Sequence, residues 1–291
     1  MREADWVSAH LFSAGDLDAL LIDAVRPLTT DLVAEGAADG YFYLRHWDGG
    51  PHIRLRLLVP DEGHHGPIRE RVALHCGRYL RDHPSTRRLT PQAYADMAEQ
   101  LARRERARSH LPSPLPNDSV QFIAYRREYE RFGAEEAMRA VERHFMESSR
   151  LAMALLGARA SADQRRVAAL AMILIAWLTG ERGTSGPGDW TGLAPADLDA
   201  RYLRQRDKLL LLADLARKLV AGQPTGVPPG SLDAWLRSIR ALRDALTGPA
   251  ADRVADTCAH LMSNRLGLTL DDEGGLRYLA ARAVTELGVA R

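Results

Sequence analysis

Arg54 and Arg56 stand two residues apart in the stretch IRLRLL (53–58), which otherwise has the composition of a buried β-strand. Successive side chains of a strand point to opposite faces, so the two arginines share one face, together with His52. Such a face is commonly solvated, with arginine stems lying over apolar neighbours. Arginine is also well suited to hold a carboxylate through two parallel hydrogen bonds. The pattern therefore indicates either ordinary surface or an anion-binding wall.

A second stretch, YRREYERFG (125–133), combines aromatic and charged residues. Glu128 and Arg131 are three residues apart, which in a helix makes them a surface pair worth a few tenths of a kcal/mol. Tyr125 opens the stretch. Taken alone, a run this charged is most typical of solvated surface.

A third stretch, TCAHLMSNRLG (257–267), places His260 and Asn264 one helical turn apart, with Arg265 next along the chain. A single histidine in a helix is more often a packed or capping residue than a catalyst. Histidine is, however, the side chain that gains and loses a proton most readily near neutral pH. The pattern leaves both interpretations open.

No residues of the sequence support a metal centre or a bound cofactor. His64 and His65 are adjacent in GHHG and lack the spaced third ligand that zinc needs. Cys76 and Cys258 are the two cysteines, too few for a disulfide framework or a cysteine zinc site. We find no phosphate-binding glycine loop, nucleophile elbow or dinucleotide fingerprint. The sequence therefore predicts chemistry without a metal or a cofactor.

The composition is that of an ordinary globular protein. The chain has 291 residues, of which 46% are hydrophobic and 26% charged, and its net charge is +1 at pH 7. So small a net charge argues against a nucleic-acid or membrane footprint. The longest apolar run, 167–178, is too short to span a bilayer, and no apolar segment follows the N-terminus. We expect a cytoplasmic protein with neither membrane nor direct nucleic-acid partners.

The sequence predicts a small β-sheet near the N-terminus, which would position Arg54 and Arg56. Alternating apolar residues predict strands at 6–12, 41–46 and 53–59. The Gly-rich segment WDGGP (47–51) is of the kind that joins antiparallel strands. Between the first two strands, apolar residues at helical spacing over 17–32 predict a helix that Pro27 should kink. The predicted sheet is antiparallel.

The rest of the chain has a helical period. The predicted helices are 67–83, 90–108, 135–156 and 165–178, followed by four more between 197 and 287. Thr90 is a predicted helix cap, and Ser161 with Gln164 forms a predicted capping box. The Gly-rich segment 179–192 is typical of a lid loop. The sequence predicts an α+β fold, a helix-dominated single domain over residues 1–291 with a small antiparallel sheet near the N-terminus.

Taken in order, the motifs resemble the thiopeptide-type bacteriocin biosynthesis family, which includes the C-terminal glutamate-elimination domain of tRNA-dependent class I lantibiotic dehydratases. The family's strand pair, F-[FIL]-x-R-Y-x-D-x-x-x-H-[IL]-R-[LV]-R, is similar to residues 42–48 and 52–56. Its Y-x-x-E-x-x-R-Y-G element resembles 125–133, and its H-[LM]-x-x-N-R-x-G element resembles 260–267. The resemblance therefore covers nearly the whole chain.

The departures from the family pattern leave its charged groups in place. His46 and Phe132 stand where the family usually has tyrosine, and Ala134 replaces a second glycine. The resemblance implies catalytic roles for Arg56, Arg131 and His260. It implies substrate contacts from His52, Arg54, Tyr125, Asn264 and Arg265.

In the resembled enzymes, a Ser or Thr of a ribosomally synthesised precursor peptide is first esterified with glutamate from glutamyl-tRNA. The elimination domain then expels glutamate and leaves dehydroalanine or dehydrobutyrine. The resemblance implies this lyase activity for the chain. The arginines would hold the glutamyl group, and His260 would handle the proton, as base or as acid. A precursor peptide and a separate glutamylating dehydratase subunit would be the partners, and a homodimer is also compatible with the sequence.

Two other activities fit the same resemblance. Pyridine synthases of thiopeptide assembly join two dehydroalanines in a formal [4+2] cycloaddition and release the leader peptide. A synthase has no glutamate to bind, so the presence of all three basic elements favours elimination. A non-catalytic homologue that binds a leader peptide would be expected to have lost His260 or an arginine.

Overall fold

The computed structural model describes most of the chain. The described residues are 5–105, 107, 109–180, 194–226, 228–246 and 248–288. The predicted lid loop at 179–192 therefore lies outside the described residues from 181 onward. The chain divides into two compact units, Met1–Arg127 and Glu128–Arg291. The helix-dominated α+β class is confirmed, whereas the single domain over 1–291 stays a prediction.

The described part of the first unit contains a four-stranded antiparallel sheet. Its strands are β1 (Trp6–Phe12), β2 (Gly40–His46), β3 (His52–Leu58) and β4 (Ser119–Gln121), in the order β2-β3-β1-β4. The three predicted strands are confirmed. Strand β4 was not predicted, because three residues after a Pro-rich segment show too little alternation to indicate a strand. Strand β3 is hydrogen-bonded to a neighbour along both edges.

One face of this sheet is apolar. Ala9 lies opposite Leu55 and Leu11 lies opposite Ile53, and all four side chains are fully buried. A buried leucine or isoleucine contributes roughly 1.5–3 kcal/mol to folding. Helix α3 (His65–Asp82) packs against β1 and β4. Its buried side chains recur at every fourth position: Ile68, Val72, Cys76 and Leu80.

The segment between β1 and β2 is helical, as predicted, but a π-helical turn interrupts it. Helix α1 (Leu17–Ala19) runs into a π-helical turn (Leu20–Val25), which leads into helix α2 (Arg26–Ala34). Pro27, in the first turn of α2, has no backbone N–H to donate to the preceding turn. The N–H of Arg26 donates to the carbonyl five residues earlier, which widens the turn. The kink predicted at the proline is therefore a π-helical turn just before it.

The turn between β2 and β3 is held in place by Tyr94 of helix α4 (Pro91–Glu105). The Tyr94 hydroxyl accepts a hydrogen bond from the Gly49 N–H at 3.0 Å and donates one to the Leu111 carbonyl at 2.8 Å. The Asp48 carboxylate accepts from the Leu111 N–H at 2.8 Å. Gly49 has a φ of 84°, a conformation that glycine adopts without steric cost. These contacts fix where β3 begins and so position its side chains.

The described part of the second unit is helical. Its helices are α5 (Tyr129–Phe132), α6 (Glu135–Gly157), α7 (Ala162–Leu178), α8 (Pro195–Val220), α9 (Ser231–Asp244), α10 (Pro249–Arg265) and α11 (Leu270–Glu286). The predicted helices of this unit are confirmed, and the short α5 was not predicted. Helix α7 begins at the predicted capping box of Ser161 and Gln164, and it packs against the four helices that follow it. No helix of the described residues is long and apolar enough to cross a bilayer.

We expect Tyr94→Phe to lower the free energy of unfolding by about 1–3 kcal/mol, because it leaves a backbone N–H and a carbonyl without their partner. Denaturant unfolding of the full chain measures this. Tyr129→Phe, at a side chain on the surface, is the matched control and should leave the stability close to that of the wild type. Equal stability of the two variants would show that the Tyr94 hydroxyl does not hold the turn.

Candidate functional site

The sheet face opposite the apolar one carries the residues singled out in β3. The register places Arg56 opposite Ser8, Arg54 opposite His10, and His52 opposite His46 on its other side. Two histidines that the sequence did not place at the site, His10 and His46, therefore share this face with His52, Arg54 and Arg56.

This face is not ordinary solvated surface. Arg56 is 6% exposed and His52 is fully buried. His10 is also buried, and its ring stacks on His52 with the centroids 4.9 Å apart. Burying a guanidinium costs far more than burying an apolar side chain unless charge or hydrogen bonds compensate. The surface interpretation of the alternating arginines is therefore wrong for Arg56.

The partners of Arg56 in the described residues carry no negative charge. Its Nη2 donates to the Nε2 atom of His10 at 3.2 Å, and its Nη1 donates to the Leu55 carbonyl at 3.4 Å. The guanidinium lies over the Tyr125 ring, 5.4 Å from the centroid, and its Nε has no hydrogen-bond partner in the described residues. Burial, followed by the charge of Arg54, lowers the pKa of Arg56 to about 9. Such a cation is stabilised by an anion brought to it.

The three histidines of this face are held neutral. Burial, with the charges of the neighbouring arginines, lowers the pKa of His10 and of His46 to about 2. Burial lowers the pKa of His52 to about 3, although a hydrogen bond to the Gly50 carbonyl opposes it. Near neutral pH the positive charge of the face therefore belongs to the arginines. The histidines supply hydrogen-bonding nitrogens, one of which accepts from Arg54 Nε at 3.3 Å.

Arg131 lies on helix α5 in the second unit. Its side chain is 44% exposed, and its Nη1 contacts the Glu128 carboxylate at 3.3 Å, which confirms the predicted i, i+3 pair. Burial raises the pKa of the Cys258 thiol to about 12, while the charges of Arg265 and Arg131 act in the opposite direction. The Arg131 charge therefore acts on helix α10, which also carries His260.

His260 is joined to a buried carboxylate. Its Nδ1 lies 2.7 Å from Oε2 of Glu273 on helix α11, and Oε1 of the same carboxylate accepts from Arg277 Nε at 2.7 Å. Burial acts to raise the pKa of Glu273, but the hydrogen bond from His260 and the charge of Arg277 outweigh it. The net effect holds the pKa of Glu273 below its ordinary value. No motif of the sequence indicated this carboxylate.

Arg265 and Asn264 end helix α10. Arg265 is fully buried, donates from Nε to the Ser149 hydroxyl at 3.0 Å and lies over the Phe145 ring. Its described contacts are those of a residue that ties α10 to α6. Asn264 is half-buried. Their roles in substrate binding stay predictions.

The structure brings the predicted residues of the first unit together: His52, Arg54, Arg56 and Tyr125. In the second unit Arg131 lies on α5, whereas His260, Asn264 and Arg265 lie on α10. That these residues form one site stays a prediction. The described residues contain no group of three or more histidine, cysteine or acidic side chains arranged to hold a metal ion.

His10, His46 and Glu273 have only weak sequence signals. His10 alternates with Ser8 and Phe12 in a strand, but nothing in the sequence says which strand lies beside it. Glu273 and Arg277 are four residues apart in a helix, a spacing that usually indicates a surface ion pair. Only their burial marks them as part of a site.

Comparison with known proteins identifies the family. The family described as the lantibiotic biosynthesis dehydratase C-terminal domain matches residues 6–284. The chain belongs to this family. No curated protein sequence matches it. The suspected family is confirmed, and with it the assignment to the biosynthesis of ribosomally made, modified peptides.

Solved structures of low sequence identity share the fold of this lantibiotic dehydratase C-terminal family member. TbtD, described as a pyridine synthase from thiomuracin biosynthesis, has a TM-score of 0.78 at 22% identity, over 98% of this chain and 100% of that chain. TsrL has a TM-score of 0.68 at 18% identity, over 97% and 94%. The tRNA-dependent lantibiotic dehydratase MibB from Microbispora sp. 107891 has a TM-score of 0.60 at 19% identity, over 98% of this chain and 28% of that chain.

Because the buried histidines of the sheet are neutral, we expect the free energy of unfolding to fall as the pH is lowered. The pKa of His10 is about 2 in the folded protein and about 6.5 in the unfolded chain, so below pH 6.5 the unfolded chain binds more protons. The contribution of neutral His10 to the free energy of unfolding is therefore complete above pH 6.5 and is lost as the pH falls. In His10→Gln the free energy of unfolding should fall less steeply from pH 6.5 to 4, by up to about 1.4 kcal/mol per pH unit.

Denaturant unfolding at a series of pH values measures this slope. His83→Gln, at an exposed histidine of the same unit, controls for the substitution itself. An unchanged slope in His10→Gln would contradict a neutral, buried His10.

Proposed function

We propose that the protein eliminates glutamate from glutamylated Ser or Thr of a ribosomally synthesised precursor peptide and leaves dehydroalanine or dehydrobutyrine. The observation that carries the proposal is the buried Arg56, whose described partners are all neutral, on the same sheet face as Arg54. Two guanidiniums on one face suit a ligand that carries carboxylates. The glutamyl group is such a ligand.

The elimination breaks two bonds. The proton on Cα of the esterified residue leaves, its electron pair forms the Cα=Cβ double bond, and the bond from Cβ to the ester oxygen breaks with its electrons going to glutamate. Negative charge therefore builds on the glutamyl carboxylate as the reaction proceeds. Arg54 and Arg56 hold the glutamyl group, and Arg131 stabilises the growing charge, which lowers the barrier most when the contact strengthens in the transition state. His260 handles the proton.

The proposal needs two partners. The precursor peptide supplies both the leader and the modified residues. In our proposal a separate glutamylating subunit supplies the ester; this chain matches 28% of the dehydratase MibB. The substrate is then a peptide that has already been esterified.

A second candidate is pyridine synthesis from two dehydroalanines, with loss of the leader peptide. The match to a pyridine synthase over 98% of this chain and 100% of that chain favours it. A synthase takes a peptide that is already dehydrated and has no glutamate to hold. Buried Arg56 and its neighbour Arg54 then have no evident ligand, so we rank this candidate second. A non-catalytic leader-binding role ranks third, because His260 and the three arginines are all present.

One experiment separates these activities. The wild-type protein is incubated with a glutamylated precursor peptide and, separately, with a dehydrated linear precursor, and the products are weighed by mass spectrometry. Elimination predicts loss of glutamic acid from the first peptide and no change in the second. Conversion of the second peptide to a pyridine-containing macrocycle, with release of the leader, would contradict the proposal. No change in either peptide would favour the leader-binding role.

We expect Arg131→Ala to slow elimination by about 10- to 150-fold in kcat, because a hydrogen bond to a charged group contributes about 1.5–3 kcal/mol. Glutamylated peptide should accumulate while leader-peptide affinity stays nearly constant, since the contact acts on the leaving group. Arg139→Ala is the matched control, because Arg139 is 39% exposed and pairs with a glutamate, Glu135, four residues earlier in the chain. A loss of activity in both variants would remove the specific role of Arg131.

Arg54→Lys should recover only part of the activity that Arg54→Ala loses, because an ammonium group cannot form the two parallel bonds of a guanidinium. Single-turnover kinetics with the glutamylated peptide measures this. Arg71→Lys, at an exposed arginine that contacts both carboxylate oxygens of Glu35, controls for the loss of a bidentate pair elsewhere in the unit. Full activity in Arg54→Lys would show that only the charge matters.

A further inference from the structure

We propose that Glu273 is a positioning residue that makes His260 the base of the elimination, with Nε2 as the atom that takes the Cα proton. This inference rests on the proposed function and extends it to a residue outside the three motifs. It also decides between the two proton roles that the sequence left open for His260.

The geometry selects one tautomer of the His260 ring. Nδ1 lies 2.7 Å from a Glu273 oxygen, and an ionised carboxylate only accepts hydrogen bonds, so Nδ1 carries the hydrogen. In a neutral imidazole the other nitrogen then has the lone pair. Nε2 is therefore the atom of His260 that can accept a proton.

Buried partners hold the Glu273 carboxylate in place. Its side chain is 2% exposed, and Arg277, at 4%, binds the second oxygen. Arg277 Nη1 in turn contacts Asp256 at 2.5 Å, and the Trp177 indole donates to the same carboxylate at 2.8 Å. Burial acts to lower the pKa of Arg277, but the charges of Glu273 and Asp256 outweigh it and raise the pKa, so the guanidinium stays charged. Glu273 thus has one fixed orientation toward His260.

The partner of His260 differs in charge from those of the sheet histidines. The His260 ring contacts the Glu273 carboxylate, whereas His52 and His10 on the sheet accept hydrogen bonds from Arg54 and Arg56. A carboxylate bonded to one ring nitrogen stabilises the imidazolium that forms when the other nitrogen takes a proton during a reaction. Of the histidines in the two clusters, His260 is therefore the one whose partner suits a base.

The reaction needs a base more than it needs an acid. Glutamate leaves as a carboxylate, which is a stable anion near neutral pH and needs no proton in order to depart. The Cα proton is the difficult one, and a positioned base contributes typically 10²–10⁴-fold to such a step. In the elimination the proton passes from Cα to Nε2, the C–H electron pair forms the double bond, and the ester oxygen leaves with its own pair.

Glu273→Gln tests the positioning role. Glutamine keeps the size of the side chain but removes the charge and can present either an oxygen or an NH₂ group to Nδ1. We expect kcat to fall by about 10- to 100-fold, part of what a base contributes, while the KM for glutamylated peptide stays nearly unchanged. The matched control is Asp252→Asn. Asp252 lies on α10, the helix that carries His260, and its carboxylate pairs with Arg243 of α9, so this variant should keep the wild-type kcat. A wild-type kcat in Glu273→Gln would overturn the inference.

Nitrogen NMR of the His260 ring supplies a readout that a merely structural role would not move. The wild-type protein should show the ring hydrogen on Nδ1 and none on Nε2, and Glu273→Gln should show a mixture of the two tautomers. A wild-type ring with the hydrogen on Nε2 would overturn the inference even if the variant does not fold. Absence of elimination by the wild type would remove the base role together with the proposed function. The ring spectrum would still show separately whether Glu273 positions His260.

Discussion

The antiparallel pairing of β1 with β3 is the constraint on which the arginine face depends. It sets His10 and Ser8 beside the two arginines, and the π face of Tyr125 lies against the buried guanidinium. A register shifted by one residue would exchange the two faces and send the arginines toward the apolar core. The hydrogen bonds of Tyr94 at the turn and the leucines of the other face therefore support the chemistry of this strand as well as its folding.

Histidines have different charged neighbours on the sheet face and in the helical cluster around His260. On the sheet, buried rings stand among arginines, remain neutral and serve as hydrogen-bonding partners. On the helices, His260 stands against an ionised carboxylate that a buried arginine keeps charged. The same residue type thus accepts hydrogen bonds from cations in one cluster and, in our proposal, takes a proton in the other. Burial, together with the arginine charges, keeps the sheet rings neutral.

Local sequence patterns predicted most elements of this fold. The features that were not predicted depend on which distant residues come into contact. Alternation over 53–58 and the capping box at Ser161 are local signals, and both elements formed as predicted. Strand β4 is too short to carry a pattern, and it forms because β1 offers it an edge. His10 and Glu273 were missed for a related reason. Their significance lies in residues that approach them from distant parts of the chain, and one sequence does not contain that pairing.

The sheet is assembled from segments that the ribosome makes far apart in time. Strand β1 emerges first, yet its two neighbours come from residues 52–58 and 119–121. The sheet therefore cannot close until the segment through Gln121 has been released, and pairings of such long sequence separation form slowly. The helices of the second unit also pair over long separations, as α11 does with α8 and α6 does with α9. Until Ser119–Gln121 is made, the edge of β1 that β4 will cover has no strand to pair with.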